Sequence, residues 1–406
     1  PTRRSSDLIQ ARETDKKHTF IAPSWARKFT KEDLPYRLPD KNDPEENFWY
    51  MELGGEGDTI HDTEKLRDEL ISIAYGIWDF VKNSGEYDAD NWELEFVGFL
   101  PGKRESRRYV GDYIMNQNDV RDGGHFDDIA AYGGWTMDDH NPAGINTKDK
   151  PNIFHPAPSP FGIPYRCLYS VNIENLYFAG RNISVTHTAM SASRVMATCA
   201  LLGQAVGTAS AIAIKNGVTP REISEKYICE LQQMLMDDDC WLPYCKTKIS
   251  ELTKSATITS TGEDAELLLN GIERHYGDDK NCRSGKIGDT VTFSFESEKA
   301  INEVRFVFNS DLNRETTGAG KYIPEKMNTC NVHKNAPALN VPKTLVKNMK
   351  IEIKNADDKW QEIDGIKENH QRLVKIKIGK TTKAIRFTLT STNGNEIADI
   401  YSIDLR

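Results

Sequence analysis

Apolar positions along the first part of the chain recur at helical spacing in one clear place. Leu66, Leu70, Ile73, Ile77, Phe80 and Val81 predict an amphipathic helix over Glu64 to Asn83, with Thr63 placed to cap it and Gly85 to end it. Before it, residues 9 to 62 mix a strand-like Thr19-Phe-Ile-Ala22 with proline-broken polar loops and Phe48-Trp-Tyr-Met-Glu-Leu53, a pattern of loops and edge strands. A strand is expected from Trp92 to Leu100. Residues 111 to 165 are rich in Gly, Asp, His and Pro with few apolar runs, so they read as a long loop region of the kind that carries function.

Leu176 to Ala179 then read as a short buried strand, Gly180-Arg181-Asn182 as a tight turn, and Met190 onward as a helix. That helical pattern runs to about Met236, interrupted at Gly217-Val-Thr-Pro220. After a bridge from Cys240 to Leu252 the period changes to two. Thr257-Ile-Thr259, Thr290 to Phe295, Val304 to Phe308, Met349 to Ile353, Val374 to Ile378, Ala384 to Thr390 and Ile400 to Leu405 alternate apolar with polar. Such strands, separated by Asn, Gly, Asp and Lys turns, predict an antiparallel sandwich or jelly roll. The fold class is therefore α+β followed by an all-β sandwich, with domains at 9–252 and 253–406.

Composition changes this picture in three ways. Lys+Arg 52 against Asp+Glu 61 leaves a formal net charge of -9 over 406 residues, so no broad field for nucleic acid exists. The seven cysteines are scattered without paired metal-ligand spacing and settle no redox compartment. Val195 to Ile214 carries no charge and is long enough to span a bilayer, but its Ala, Gly, Ser, Thr and Gln204 content suits a helix enclosed by protein. No transmembrane span is expected. Pro1 to Leu8 lack an initiator Met and any periodic pattern, and read as a non-native leader.

Five segments in order, Lys103 to Arg108, Phe126 to Trp135, Asp138-Asp-His-Asn-Pro142, Ile163 to Ser170 and Asn175 to Thr198, resemble the FAD-dependent oxidoreductase family common in polysaccharide-degrading bacteria of the Bacteroidetes type. Residues 13 to 250 look like its substrate and C-terminal flavin-binding portions, an α/β flavoprotein remnant. Family members begin with a Gly-x-Gly-x-x-Gly turn that cradles the cofactor pyrophosphate, and nothing of that form occurs here; Gly54-Gly-Glu-Gly57 lacks the spacing. An N-terminally truncated member is the expectation. Leu269-Asn-Gly-Ile272 and Glu396 to Ile400 resemble the galactose-binding-like, discoidin-type sandwich.

The resemblance implies FAD and a set of site residues. Gly180 would take a positive φ or approach the cofactor, the plain alternative being a turn glycine. Arg181 and Asn182 would touch the ribityl chain or lie on a solvated turn. Ser184, Thr188 and Ala189 would border the flavin pyrimidine edge, and His187 beside them would be the base, its pKa suiting removal of a hydroxyl proton. His125 and His140 are further candidates for that role, each also readable as structural. Arg104, Arg107 and Arg108 would clamp substrate oxygens or form a salt-bridged loop with Glu105. Trp135 and Tyr132 would stack on sugar or flavin, or pack a loop. Asp127, Asp128, Asp138 and Asp139 have no calcium-loop spacing, so no metal is assigned there. In the sandwich, Tyr276, Tyr322 and Trp360 would form a glycan platform, and Asn270-Gly271 would lie near a structural Ca²⁺. The expected substrate is a carbohydrate-derived or polyol-like alcohol, with export to the periplasm or beyond implied by family context. The reading from another class is a glycan-binding or adhesive module with the flavin half as scaffold.

Overall fold

The computed structural model describes residues 3–4, 9–39, 50–103, 105–275, 278–311 and 341–406. Residues through Leu231 form one compact unit and those from Gln232 a second. The change of sequence pattern at 252 lies later because residues beyond Gln232 already belong with the strands. Ser250 N–H donates to Asp404 Oδ1 at 3.0 Å, and Thr253 Oγ1 to the same oxygen at 2.8 Å.

In the first unit the amphipathic helix runs Thr63–Asn83 and buries Leu70, Ile73, Ile77, Phe80 and Val81, as its spacing predicts. Thr63 is not its cap. Its hydroxyl donates to the Thr59 carbonyl at 2.8 Å, and Asp62 holds the cap position. Gly85 follows with φ +80°. The expected strand is Trp92–Val97, paired antiparallel with Ile9–Glu13. Thr19 to Ala22 form no strand, and Tyr50 and Met51 are buried without joining a sheet. Of the supposed leader, Arg3–Arg4 pairs with Gly102–Lys103; its other residues lie outside those described.

The long loop region contains more order than its composition suggests. Gln117–Arg121 is a helix capped by Asn116, and two antiparallel pairs follow, Ile129–Gly133 with Phe161–Pro164 and Met137–His140 with Asn152–His155. Ile129, Ala130 and Ala131 are all buried, as are Phe161 to Pro164, so neither strand alternates and neither is visible as a period-two pattern. Gly124 and Gly162 permit the packing here. A Cβ on Gly162 would lie 2.3 Å from the Gly124 carbonyl oxygen.

The strand expected at Leu176 to Ala179 is displaced. That stretch makes a single bridge, Tyr169 to Tyr177, and Leu176 is exposed. The extended run feeding the helix lies after the glycine. Ser184 donates to the Cys167 carbonyl at 3.1 Å, and Ser184 and Thr186 exchange backbone bonds with Met115 at 3.1 and 2.8 Å. Ile183, Ser184 and Val185 are buried there. Backbone pairing on both sides, rather than apolar character, decides which residues extend.

The helix itself starts at His187, three residues earlier than its apolar pattern suggests, because Thr186 is extended and its Oγ1 accepts from the Ala189 N–H. It ends at Ser193, and Val195 in extended conformation opens a second helix, Met196–Asn216, closed by Gly217 at φ +64°. The chain restarts at Pro220 under a Thr219–Glu222 capping box. Met196–Asn216 is only partly enclosed, contrary to expectation. Thr198, Leu202, Ala205, Ala209 and Ile212 form its buried stripe against Ile129–Gly133, while Met196 and Ile214 are 85% and 83% exposed. By length and composition this one helix would suffice to cross a membrane.

The second unit is all antiparallel. Its strands run in the order Arg283–Lys286, Ile397–Leu405, Thr290–Phe308, Leu373–Thr392, Val346–Lys354, Trp360–Ile366, with Thr257–Ser260 also on Thr290–Phe308. Segments that read as separate strands prove continuous. Thr290–Phe308 carries irregularities at Ser294/Lys299 and Ile301/Glu303, and on either side of them its first half pairs with Thr257–Ser260 and its second with Ile397–Leu405. Phe387 packs on Phe293 and Phe306, with ring centroids at 6.0 and 5.2 Å, joining residues from both halves in one core. One ion pair is sealed inside: Arg305, 0% exposed, is held by Glu273 at 2.5 and 3.0 Å and by the Met236 carbonyl at 2.9 Å.

Candidate functional site

The helix His187–Ser193 packs across the strand Met137–His140 and beside Gln117–Arg121. This crossing assembles a small cleft of about 10 Å³, room for about one water, from segments far apart in sequence, lined by Glu105, Asp138, His140, His187, Met190, Ser191 and Arg194. His187 stands at the first helical position with its side chain 49% exposed. Its Nδ1 donates to Oε2 of the buried Glu105 at 2.7 Å, and its Nε2 lies 3.6 Å from Asp139 Oδ1, beyond hydrogen-bond reach. Arg108 pairs with the other oxygen of Glu105. Burial, assisted by the charge of Arg108, holds the His187 imidazole below its ordinary pKa of 6.5. The ring is accordingly neutral at pH 7, with Nδ1 tied down and Nε2 presenting a lone pair.

His140 occupies the floor. Nδ1 meets Glu52 Oε2 at 2.8 Å and Nε2 meets Asp138 Oδ2 at 2.7 Å. Asp138 also accepts from Asn152 at 2.6 Å and from Arg194 at 3.1 Å. Burial alone would raise the Asp138 pKa; the hydrogen bonds from His140 and Asn152 and the charge of Arg194 overrule it and hold the carboxyl down at about 2. Glu52, Asp138 and Arg194 are thus hydrogen-bonded in and around His140, which is the condition for burying such polar groups.

On the other side of the helix, Thr188 lines a separate open cavity of about 290 Å³ with Gln117, Arg121, Met137, His155 and Pro156. Gly180 has φ +92°, the left-handed region in which a side chain is strained, and a Cβ there would meet only Asn182 Oδ1 at 3.7 Å. Arg181 is half-buried, close enough to favour the Cys199 thiolate by its charge. Asn182 is half-buried and its carbonyl accepts from Tyr109. Ser184 is fully enclosed with no partner for its hydroxyl, and Ala189 is buried with its N–H on the Thr186 cap.

The remaining candidates scatter. Arg107, His125 and Trp135 are exposed and do not line the cleft. Arg108 is engaged by Glu105. Arg104, Tyr276 and Tyr322 lie outside the described residues. In the sandwich, the Arg386 guanidinium sits 4.2 Å over the Trp360 ring, covering a face a sugar would need. Sequence reading missed Glu52, Ser191 and Arg194 altogether and took Asp138 only as a failed metal ligand. The available signal was alternation: Asp138 and His140 are two apart on one strand and share a face.

A family profile described as FAD dependent oxidoreductase matches residues 5–235. The chain belongs to the FAD-dependent oxidoreductase family. No curated protein matches this FAD-dependent oxidoreductase. Solved structures similar to its C-terminal part include the family 32 carbohydrate-binding module of EndoD from Streptococcus pneumoniae, 18% identical over 39% of this chain and 99% of that chain, with a TM-score of 0.28. A fucose-binding module from the same organism is 11% identical over 39% and 98%, with a TM-score of 0.27. The family 32 module of NanJ from C. perfringens, in complex with galactose, is 8% identical over 39% and 97%, with a TM-score of 0.25. The sandwich architecture stands on the strand ladders of this chain itself.

The family implies FAD. Around Gly180 one feature fits it: a backbone at φ +92° with open space beside the Cα, which a flat ring would approach closely, whereas the unpartnered Ser184 hydroxyl is 0% exposed and sealed away from it. The sequence contains no Gly-x-Gly-x-x-Gly turn of the kind that cradles a pyrophosphate.

Proposed function

We propose that this FAD-dependent oxidoreductase oxidises a carbohydrate-derived or polyol-like alcohol, with His187 as the general base. The pairing of His187 with Glu105 carries the reading. Glu105 holds the imidazole in the tautomer whose Nε2 is unprotonated, and the Arg108 guanidinium pairs with Glu105 and holds it in place. Nε2 then removes the hydroxyl proton of the alcohol. FAD, when bound, supplies the hydride acceptor. Gly180, Arg181, Asn182 and Thr188 would hold its ring end, Gly180 by backbone approach. Asp139, at the rim beside His187, accepts hydrogen bonds from neighbouring substrate hydroxyls, which favours a polyol over an apolar alcohol.

Titration of the purified chain with FAD, followed by flavin fluorescence, tests the reading. Quenching is expected, weakened at least tenfold in Gly180→Val. Unchanged flavin fluorescence at millimolar FAD rejects a flavin site in this chain.

A further inference from the structure

A cluster unrelated to the flavin reading lies in the second unit. His275 Nδ1 or Nε2, Cys282 Sγ and a carboxylate oxygen of Asp399 all fall within 4.8 Å of one another. Their residue types differ from those of an oxygen-only calcium cage. One thiol, one imidazole and one carboxylate are the donor set of a borderline-soft divalent ion such as Zn²⁺. Metal–ligand bonds of about 2.0 to 2.3 Å in a tetrahedron put ligand atoms about 3.3 to 3.6 Å apart. Closing from 4.8 Å therefore needs the ligand atoms to approach by about 1.2 to 1.5 Å, within the range of side-chain rotation when shared between two residues.

The surroundings are organised as a metal site requires. Asp399 lies on Ile397–Leu405, opposite Ser284 in the ladder with Arg283–Lys286, and Cys282 immediately precedes that strand. Two ligands are thus fixed by one pair of strands. Ser284 Oγ donates to Asp399 Oδ1 at 2.6 Å and Asn309 Nδ2 to Oδ2 at 3.1 Å, which orients the carboxylate. Tyr401 OH donates to Asn309 Oδ1 at 3.4 Å, and the Tyr401 ring lies edge-on to His275 with centroids 5.5 Å apart. Burial lowers the His275 pKa and raises the Cys282 thiol to about 12, so that the ion would displace the thiol proton, and Nε2 of His275 would exchange its 3.5 Å contact with Asn309 Nδ2 for the metal or leave Nδ1 to bind it. Cys282 is 0% exposed and His275 half-buried, so the ion would enter from the histidine side.

We propose that His275, Cys282 and Asp399 form a three-ligand zinc-class site on the β-sandwich, with water in the fourth position. The site ties the loop at His275 to the strands bearing Cys282 and Asp399 and does not depend on FAD.

The test is cobalt titration of the chelator-stripped full chain. One equivalent of Co²⁺ is expected to give thiolate-to-cobalt charge-transfer absorption, abolished by added Zn²⁺ and absent in Cys282→Ala. His275→Ala and Asp399→Asn are each expected to weaken binding about 10- to 100-fold. Zn²⁺ should also raise the thermal midpoint of the wild-type chain and leave that of His275→Ala unmoved, a readout that remains if Cys282→Ala fails to fold. Absorption that persists in Cys282→Ala assigns the thiolate to another cysteine and overturns the proposal. So does wild-type protein that binds no Co²⁺, or Ca²⁺ that displaces Co²⁺ as readily as Zn²⁺ does.

Discussion

Nδ1 of His187 donates to Oε2 of Glu105 across 2.7 Å, joining residues 82 positions apart. The carboxylate is buried and the imidazole half-exposed, so the pair has an anchored end and a working end. A base held this way contributes typically 10²- to 10⁴-fold to a proton transfer. His187→Ala is expected to slow flavin reduction by a sugar alcohol by that factor in FAD-loaded protein, with flavin binding retained. Rapid-mixing absorbance measures it, and an unchanged rate removes His187 from the mechanism.

The same pair sets the direction of the pH response. Burial and Arg108 hold the imidazole below 6.5, while Asp139 opposes them. The active form is the neutral ring, present above that lowered pKa and lost as pH falls through it. Flavin reduction is therefore expected to be level from pH 7 to 8 and to decline below 6.5. A limb centred above pH 7 contradicts the assignment.

Asp138 accepts from His140, Asn152 and Arg194 at once, so neutralising it weakens three buried hydrogen bonds. Asp138→Asn is expected to cost about 3 kcal/mol in urea unfolding. Because the folded carboxyl titrates at about 2 against an ordinary 3.8, its contribution is complete above pH 4 and lost as pH falls toward 2. The amount is about 2 kcal/mol. Wild-type and variant stabilities should converge over that window.

One substitution has opposite consequences at two helical glycines. Ala normally stabilises an exposed helix interior by about 1 kcal/mol over Gly. Gly207 has nothing within 4 Å of a Cβ, so Gly207→Ala is expected to follow that rule. At Gly76 the new carbon would lie 1.9 Å from the Arg27 carbonyl, backbone that cannot step aside. Gly76→Ala is expected to lower the melting temperature by several degrees, and a rise in both variants contradicts this packing.

The helix over Thr63–Asn83 and most sandwich strands were legible in sequence because each buries one face, and one-sided burial prints a period on the chain. Ile129–Gly133 was not legible, since a strand buried on both faces has no period to print. The run Ile183 to Val185 was displaced from the apolar stretch before Gly180 because its neighbours Met115 and Cys167 select it through backbone bonds.

His187 was singled out by its position after the glycine turn, and the structure places it beside Glu105 and His140. Arg107 and Trp135 were singled out within segments that resemble the family, and His125 as a histidine suited to act as a base; tertiary packing leaves all three outside the cleft. By itself the sequence determined the family, the order of helices and strands, and the glycine at which the chain turns, all of which depend on near neighbours. Only the tertiary structure decided that Glu105 serves His187 and that Glu52 and Asp138 enclose His140. Those pairings follow from a helix crossing a strand, and distance through space has no signature in residue spacing.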